Sequence, residues 1–461
     1  MKKRLKFIIA GGKTGGHLFP GIAIAQAILR LEQESQILFV GTGAPFETKT
    51  LDNYGFKHKK IISSGIKGKG IFQKITALLQ IPVSVLQAIK IIINFKPDMV
   101  IGVGGFSSGS VLLGAKLCGI KTAIHEQNSI AGITNRILSR VVDIIFTSFQ
   151  NTKGFEHKKS TLHTGNPIRQ SVNISKHLNR CQSNSGKTGT SEDQHKNIYC
   201  KKFTILVTGG SQGAKSINSA FVDAVTKINF INNTNFNRKV YSSKTSWQNP
   251  SFTSDPKNKE DFNGKGKYKE IEIEKQKNRN NCNENSLSCA VKGYHIIHQT
   301  GSLDEERIIK EYEKFFSSEM SETASERKTD NFHNKITAKA FFHDMPQIMA
   351  ISDLVICRSG AGTLSEITAL GKPSLLVPYP HAADDHQTFN ALSLVNNEAA
   401  WMINDRELSP DDIIEKITLA YENPELMKNM SANALKLGHP HADETIAQIC
   451  INVANDKKLL F

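Results

Sequence analysis

The sequence of 461 residues is poor in cysteine and in aromatic residues, and residues 1–170 are poor in acidic ones. The seven cysteines (Cys118, Cys181, Cys200, Cys282, Cys289, Cys357, Cys450) are scattered, odd in number and form no CxxC pair. That argues against a disulfide framework and for a reducing compartment. Cys282, Cys289, His295 and His298 match no standard zinc spacing. No uninterrupted apolar stretch is long enough to span a bilayer. The basic start Met1–Arg4 is followed by an apolar run, Phe7–Ala10, that stops at Gly11-Gly12. A secretory core is longer, so the chain is expected to stay inside the cell. Aromatic residues, at 7%, are not interleaved with the basic ones as base-stacking platforms would be, so no nucleic-acid partner is expected.

Two nucleotide motifs are missing as well. Gly12-Lys13-Thr14 looks like the end of a Walker A loop, but the glycine required five positions earlier is Phe7. No loop carries the strict G-x-G-x-x-G dinucleotide fingerprint. A P-loop triphosphatase and a nicotinamide dehydrogenase are therefore both poor readings.

What is present is charge and a repeated pattern. Residues 1–170 hold 23 Lys+Arg against 8 Asp+Glu, which accounts for the whole net charge of +15. Such a surface suits a polyanion or an anionic membrane, or serves only solubility. Along the chain, short apolar runs lead into glycine clusters and then amphipathic segments: Lys6–Ala10, Ile37–Val40, Met99–Val103, Thr204–Val207 and Leu354–Cys357. Strand–turn–helix units of this kind predict an α/β fold with parallel sheets covered on both faces. The pattern starts afresh near residue 203, so two Rossmann-like doubly wound domains facing a cleft are expected. Ligands would bind at the strand ends, where the glycine loops fall. Residues 176–200 and 232–290 break the pattern; the second holds twelve Asn and reads as a polar insertion without chemistry.

Residues 65–95 join a basic glycine loop to an apolar stripe, Ile75, Leu78, Leu79, Pro82, Leu86, Ile89 and Ile93, with Thr76, Gln80, Ser84, Gln87 and Asn94 opposite. With Lys67, Lys69, Lys74 and Lys90 nearby, the stripe fits an anionic membrane face; a core-facing helix gives the same stripe.

Three loops carry candidate chemistry. Gly11–Gly16 ends at His17, just before a predicted helix; glycines admit a ligand close to the backbone and the helix N-terminus favours negative charge. Histidine titrates near neutral pH, so His17 is a candidate general base, although a histidine in a loop is often structural. Gly209–Ala214, containing Ser211, follows a strand and opens a helix as a diphosphate cradle does. Ser359–Thr363 does likewise, with Glu366 on the first turn either capping helix amides or accepting from ribose hydroxyls. Asp384-Asp385 has no second carboxylate cluster to complete a metal site, so sugar-hydroxyl contacts from Gln387 or Asn390 are the more natural reading.

In this order the motifs resemble the MurG family, the bacterial UDP-N-acetylglucosamine: undecaprenyl-diphosphoryl-muramyl-pentapeptide N-acetylglucosaminyltransferases. The resemblance rests on residues 11–21, 102–109, His125-Glu126-Gln127-Asn128, Gly165–Arg169, Gly209–Ala214, Cys357–Glu366 and Asp384–Ala391. It covers nearly the whole chain except 176–200, 232–290 and 317–335. Lys13 stands where a glycine is common, and the long insertion has no family counterpart.

The resemblance implies a two-domain glycosyltransferase B fold. Residues 1–165 would take the acceptor, 166–440 would bind UDP-GlcNAc, and residues 441–461 would return to the first domain. It also implies inverting transfer of GlcNAc to undecaprenyl-diphospho-muramyl-pentapeptide at the cytoplasmic face of the inner membrane, with no metal or other cofactor. His17 would be the base. Thr14, Gly15, Gly16 and Asn128 would line the cleft, and Arg169 and Ser211 would face the diphosphate. Phe342 would meet uracil through its backbone, Ala361, Gly362, Thr363, Leu364, Ser365 and Glu366 would wrap the nucleotide, and Gln387 and Asn390 would contact the sugar. Other lipid glycosyltransferases and UDP-GlcNAc 2-epimerases share this plan.

Overall fold

The computed structural model describes residues 4–12, 14–63, 71–155, 160–168, 203–210, 212–233, 294–322 and 335–455. In the first half the elements run β1 (Lys6–Ala10), α1 (Gly15–Leu31), β2 (Gln36–Gly41), α2 (Pro45–Asn53), β3 (Lys57–Lys60), α3 (Ile71–Phe95) and β4 (Met99–Gly102). They continue with α4 (Phe106–Leu117), β5 (Lys121–Glu126), α5 (Ile133–Leu138), β6 (Ile144–Thr147) and β7 (Thr161–His163). The seven strands form one parallel sheet in the order β3-β2-β1-β4-β5-β6-β7.

The second half begins with β8 (Phe203–Thr208), α6 (Lys215–Asn233), β9 (Tyr294–Gln299), α7 (Glu305–Glu322), β10 (Lys335–Lys339) and α8 (Met345–Ile351). It goes on through β11 (Leu354–Cys357), α9 (Ala361–Leu370), β12 (Ser374–Leu376), α10 (His386–Val395), β13 (Trp401–Met402), α11 (Pro410–Glu422), α12 (Pro424–Lys436) and α13 (Ala442–Ala454). Its sheet is also parallel, in the order β10-β9-β8-β11-β12-β13. Two doubly wound parallel sheets are what the repeated sequence pattern predicts.

The central strands β1, β4, β8 and β11 are largely apolar because both faces are covered, whereas the edge strand β3, Lys57–Lys60, is polar and mostly exposed. Alternate residues of β1 go to different cores: Phe7 and Ile9 pack with α1, whereas Ile8 and Ala10 pack with Ala88 and Ile92 of α3 and Leu112 of α4. In β8, Ile205 and Val207 join one core and Leu206 the other. Helix α13 belongs to the first half's core through Ile446, Ala447, Cys450 and Ile451, and its Asp443 accepts from Arg30 of α1 at 2.8 Å.

In α3 the described side chains divide differently from the predicted stripe. Ser84, expected on the polar side, is 2% exposed beside buried Val85, Ala88 and Ile92, whereas Leu86 and Ile93 are 67% and 59% exposed. Ile81 and Val83 are exposed too, as is Leu117 of α4. The helix docks on α4 along the neighbouring line of residues, because two adjacent apolar lines are available and only one can face the sheet. Lys67, Lys69, Ile75, Leu78 and Leu79 lie where side chains are not described.

Candidate active site

In both sheets the strand order reverses at the centre, between β1 and β4 and between β8 and β11. Connections leave such a switch point toward opposite faces, which opens a crevice at the carboxyl ends of the strands. The glycine loops after β1, β4, β8 and β11 fall there.

At the first crevice the loops after β1 and β4 touch. Gly11 has φ +114°, and a side chain on it would overlap the carbonyl of Gly104. His17 lies in the first turn of α1, half-buried, and its ring rests on Gly104, where an added Cβ would lie 2.8 Å from Nδ1. His17 Nδ1 is 2.9 Å from Gln127 Oε1. Gln127, just past β5, is 2% exposed and donates from Nε2 to the Val103 carbonyl at 2.9 Å, with His125 Nδ1 at 3.0 Å. His125 Nε2 is 3.3 Å from the Gly165 carbonyl. Burial pushes the His125 pKa down to about 4, which keeps it neutral at physiological pH.

The same strand end ties the two halves together. Glu126 is buried; its Oε1 accepts from the Asn128 amide at 3.0 Å, and Oε2 accepts from Gly132 N and Asn135 Nδ2 at 3.0 and 2.8 Å. The loop it shapes meets Asn390 of α10. Asn390 Oδ1 accepts from Ser129 N at 2.9 Å and Ser129 Oγ at 2.8 Å, while its Nδ2 donates to Asn128 Oδ1 and the Ser359 carbonyl, both at 3.2 Å. All four bonding positions of this fully buried amide are therefore filled. Lys153 lies 4.3 Å above the Phe389 ring in the same junction. Asp384 and Asp385 both have left-handed backbones, at φ +55° and +52°, immediately before α10. Helix α1 also meets α9 across the space between the halves.

The second crevice is braced by amides instead. Gln299, at the end of β9, donates from Nε2 to Thr208 Oγ1 and the Gly210 carbonyl, both at 3.1 Å, and accepts from the Phe342 amide at 3.0 Å. The Phe342 ring is packed in the core, so only its carbonyl is left for a ligand. Helix α9 starts at Ala361, with Gly360 as its N-cap; Gly362 is exposed, Thr363 and Ser365 are half-buried, and Leu364 and Glu366 are buried. Leu364 points into the core, so any contact from it comes from its backbone. Gln387 Oε1 accepts from the Tyr379 amide at 3.0 Å. Arg358, between β11 and α9, pairs with Asp405 and donates to Ser216 Oγ at 3.0 Å and to the Val377 and Pro378 carbonyls at 3.2 and 3.1 Å.

Thr14, Gly15, Gly16, His17 and Asn128 thus gather at the first crevice, and Phe342, Ala361 to Glu366 and Gln387 at the second. Asn390 stands between them with its side chain already committed. Arg169, Ser211 and Lys13 lie outside the described residues, as do most of the two polar segments. Sequence reasoning assigned no role to Gln127, Glu126, Gln299 or Arg358. The first two sit inside the His-Glu-Gln-Asn motif, whose clustering of four polar residues at a strand end was the available signal. Arg358 sits inside the Cys357–Glu366 motif, while Gln299 shows no local signal, since its partners Thr208, Gly210 and Phe342 are far away in sequence.

Comparisons with known proteins agree with this architecture. Residues 7–147 match the glycosyltransferase family 28 N-terminal domain, and residues 273–446 match the glycosyltransferase family 28 C-terminal domain. The UDP-N-acetylglucosamine–N-acetylmuramyl-(pentapeptide) pyrophosphoryl-undecaprenol N-acetylglucosamine transferase of Syntrophus aciditrophicus is 37% identical, over 97% of this chain and 98% of that protein. The protein of the same name from Myxococcus xanthus is 31% identical, over 97% of this chain and 93% of that protein. Among solved structures, Acinetobacter baumannii MurG superposes with a TM-score of 0.64 at 23% identity, covering 97% of this chain and 99% of that one. The UDP-GlcNAc 2-epimerase of Neisseria meningitidis, bound to UDP-GlcNAc, superposes with a TM-score of 0.55 at 12% identity, over 97% and 99%. At these identities the two superpositions speak to the fold alone.

Proposed function

The chain belongs to glycosyltransferase family 28, among the UDP-N-acetylglucosamine–N-acetylmuramyl-(pentapeptide) pyrophosphoryl-undecaprenol N-acetylglucosamine transferases, and on that premise we propose how its own residues carry the transfer. The reaction moves GlcNAc from UDP-GlcNAc to the lipid-linked muramyl-pentapeptide, converting lipid I to lipid II. The acceptor's 4-hydroxyl gives its proton to His17 and its oxygen attacks the anomeric carbon. The bond to the β-phosphate oxygen breaks, and its electron pair leaves with UDP, giving inversion.

Charge building on the departing diphosphate is met by the N-termini of α6 and α9 and by Arg169, with Ser211 alongside, and no metal ion is required. The Phe342 carbonyl accepts from the uracil N–H, Glu366 holds the ribose hydroxyls, and the free amide hydrogens of Gln387 reach the sugar. Thr14, Gly15, Gly16 and Asn128 line the space where donor and acceptor meet. Asn390 contributes by holding Asn128 and Ser129 in place. Turnover that vanishes on chelation and returns only with magnesium would refute the metal-free account.

The acceptor is carried by a membrane, and the exposed Ile81, Val83, Leu86 and Ile93 of α3, with Leu117 and Lys90 close by, supply an apolar face on the basic half. No described helix is long and apolar enough to cross a bilayer. That face and the surplus charge support contact with an anionic membrane surface, which we place at the cytoplasmic side of the inner membrane.

The single observation that carries the catalytic reading is His17, held at a helix N-terminus above the switch point of the basic half while α1 meets α9. Its test is His17→Ala with saturating substrates. UDP release dependent on the muramyl lipid should fall about 10²–10⁴-fold, the usual contribution of a general base. Near-normal turnover would remove His17 from that role.

A further inference from the structure

Gln127 has the right position and the right neighbours to decide where His17 keeps its proton. Its side-chain amide is buried, and one partner of fixed character, the Val103 carbonyl, orients it. The Val103 carbonyl, 2.9 Å away, can only accept, so the atom facing it is the NH2 group. The amide oxygen is thereby turned toward His17, where it too can only accept, and Nδ1 at 2.9 Å has to be the donor. The second amide hydrogen meets His125 Nδ1 at 3.0 Å. That nitrogen is bare, because Nε2 of the same ring faces the Gly165 carbonyl at 3.3 Å and carries the hydrogen itself. The row of groups is therefore consistent in one direction only, from the Gly165 carbonyl back to His17. Gly104 leaves room for the ring, since any side chain there would press on Nδ1.

We propose that Gln127 is a positioning residue for the transfer: its buried amide fixes His17 as the Nδ1–H tautomer, leaving the lone pair on Nε2 to take the acceptor's proton. The proposal rests on His17 being the base. The opposite tautomer would set a ring lone pair against Gln127 Oε1 and leave that buried oxygen without a donor, a bias on the order of ten-fold or more. Fixing the tautomer also removes a reorganisation step. When Nε2 takes the 4-hydroxyl proton, the imidazolium keeps its Nδ1–H bond to Gln127 unchanged, while the O4–C1 bond forms and the C1–O bond to the diphosphate breaks. A neutral amide does this without placing a carboxylate charge beside the leaving diphosphate.

The test combines kinetics with nitrogen-15 spectra of protein labelled in its histidine rings. The His17 signals are identified by their loss in His17→Ala. The intact protein should show a protonated Nδ1 and a bare Nε2 at His17. In Gln127→Met, which keeps the volume and loses the bonds, the signals should move toward the Nε2–H form. Its kcat should fall about 10–10²-fold, part of what a base contributes, with KM for UDP-GlcNAc essentially unchanged. Gln127→Glu, which can still accept from Nδ1, should keep the Nδ1–H form and recover part of kcat.

A bare Nδ1 in the intact protein, or an unshifted tautomer and full kcat in Gln127→Met, overturns the proposal. Should Gln127→Met fail to fold, the intact spectrum and Gln127→Glu decide alone. Failure of the underlying reading looks different, since His17→Ala would then turn over normally and the tautomer would be irrelevant to rate. An inactive His17→Ala beside a fully active Gln127→Met removes only the role of Gln127.

Discussion

The two halves of this chain place a buried glutamine and a buried histidine beside the same topological feature, and use them differently. Gln127 and Gln299 are both nearly inaccessible at the end of a strand next to the switch point. Both donate to a backbone carbonyl of the neighbouring loop. They part at the oxygen: Gln127 accepts from an imidazole that reaches the cleft, whereas Gln299 accepts from the backbone amide of Phe342. His125 and His298 are both held neutral by burial, His298 between Tyr312 and Asn218 at 2.9 and 3.0 Å. One row therefore ends on the imidazole proposed as the base, and the other on the backbone amide of the proposed uracil contact. The two glutamines stand on opposite sides of their switch points, Gln127 beyond β4 and Gln299 beyond β8, and similar polar parts end on an imidazole in one case and on a backbone amide in the other.

The sharpest way to break this contrast is to remove one side chain in each half, His17 in the first and Gln299 in the second. His17→Ala should cost turnover about 10²–10⁴-fold and destabilise only by the one bond lost at Gln127 Oε1, about 1 kcal/mol. Gln299→Leu should do the reverse. It leaves the Phe342 amide and the Gly210 loop without their partner, a destabilisation of about 1–3 kcal/mol for each buried group orphaned. It should also raise KM for UDP-GlcNAc with kcat close to normal. Equal effects of both variants on kcat would dissolve the distinction.

Acid should strike both halves. His125 and His298 have folded pKa values lowered to about 4 and about 3, chiefly by burial, from an ordinary 6.5. The unfolded chain then binds protons that the native one refuses, so stability is complete above about pH 6.5 and declines as pH falls toward 4. Down to pH 4 each site contributes a loss of about 3 kcal/mol. Melting temperatures recorded from pH 7 to pH 4 check this, and a flat profile would contradict the neutral-histidine description.

Asn390→Ala tests whether the halves depend on one another. Losing its four bonds should cost about 1–3 kcal/mol for each buried group left without a partner and lower kcat/KM several-fold by loosening the Asn128–Ser129 loop, with UDP binding hardly changed. The smallest effect on the isolated enzyme belongs to Leu86→Ser. This change to an exposed side chain should leave stability within about 0.5 kcal/mol and weaken binding to anionic vesicles. That binding should also weaken with added salt; vesicle binding indifferent to both would remove α3 from the membrane contact.

Much of this was legible in the sequence. Buried parallel strands are apolar over their whole length and the loops at their ends need glycine, so β1, β4, β8 and β11 and their loops stand out as one-dimensional patterns. His17 was legible for the same reason, following a glycine pair near a helix start, although the helix begins at Gly15 and takes His17 into its first turn. Ser84 was not, because two lines of apolar residues on α3 compete for one docking surface. Nor was the state of Asn390: its segment marked it as polar, but its four partners come from residues 128, 129 and 359.

The sequence by itself determined the class of fold, the places where the backbone opens to a ligand, and the one-sided distribution of charge. Each of these depends on composition or on spacing along a few residues, and local rules of helix and strand suffice to read them. Only the tertiary structure decided which polar groups speak to which. Hydrogen bonds such as those from His17 to Gln127, 110 residues on, and from Ser129 to Asn390, 261 residues on, exist because strand ends converge in space. A hydrogen bond is sensitive to tenths of an ångström and to the direction of a lone pair, and neither is set until both sheets are in place.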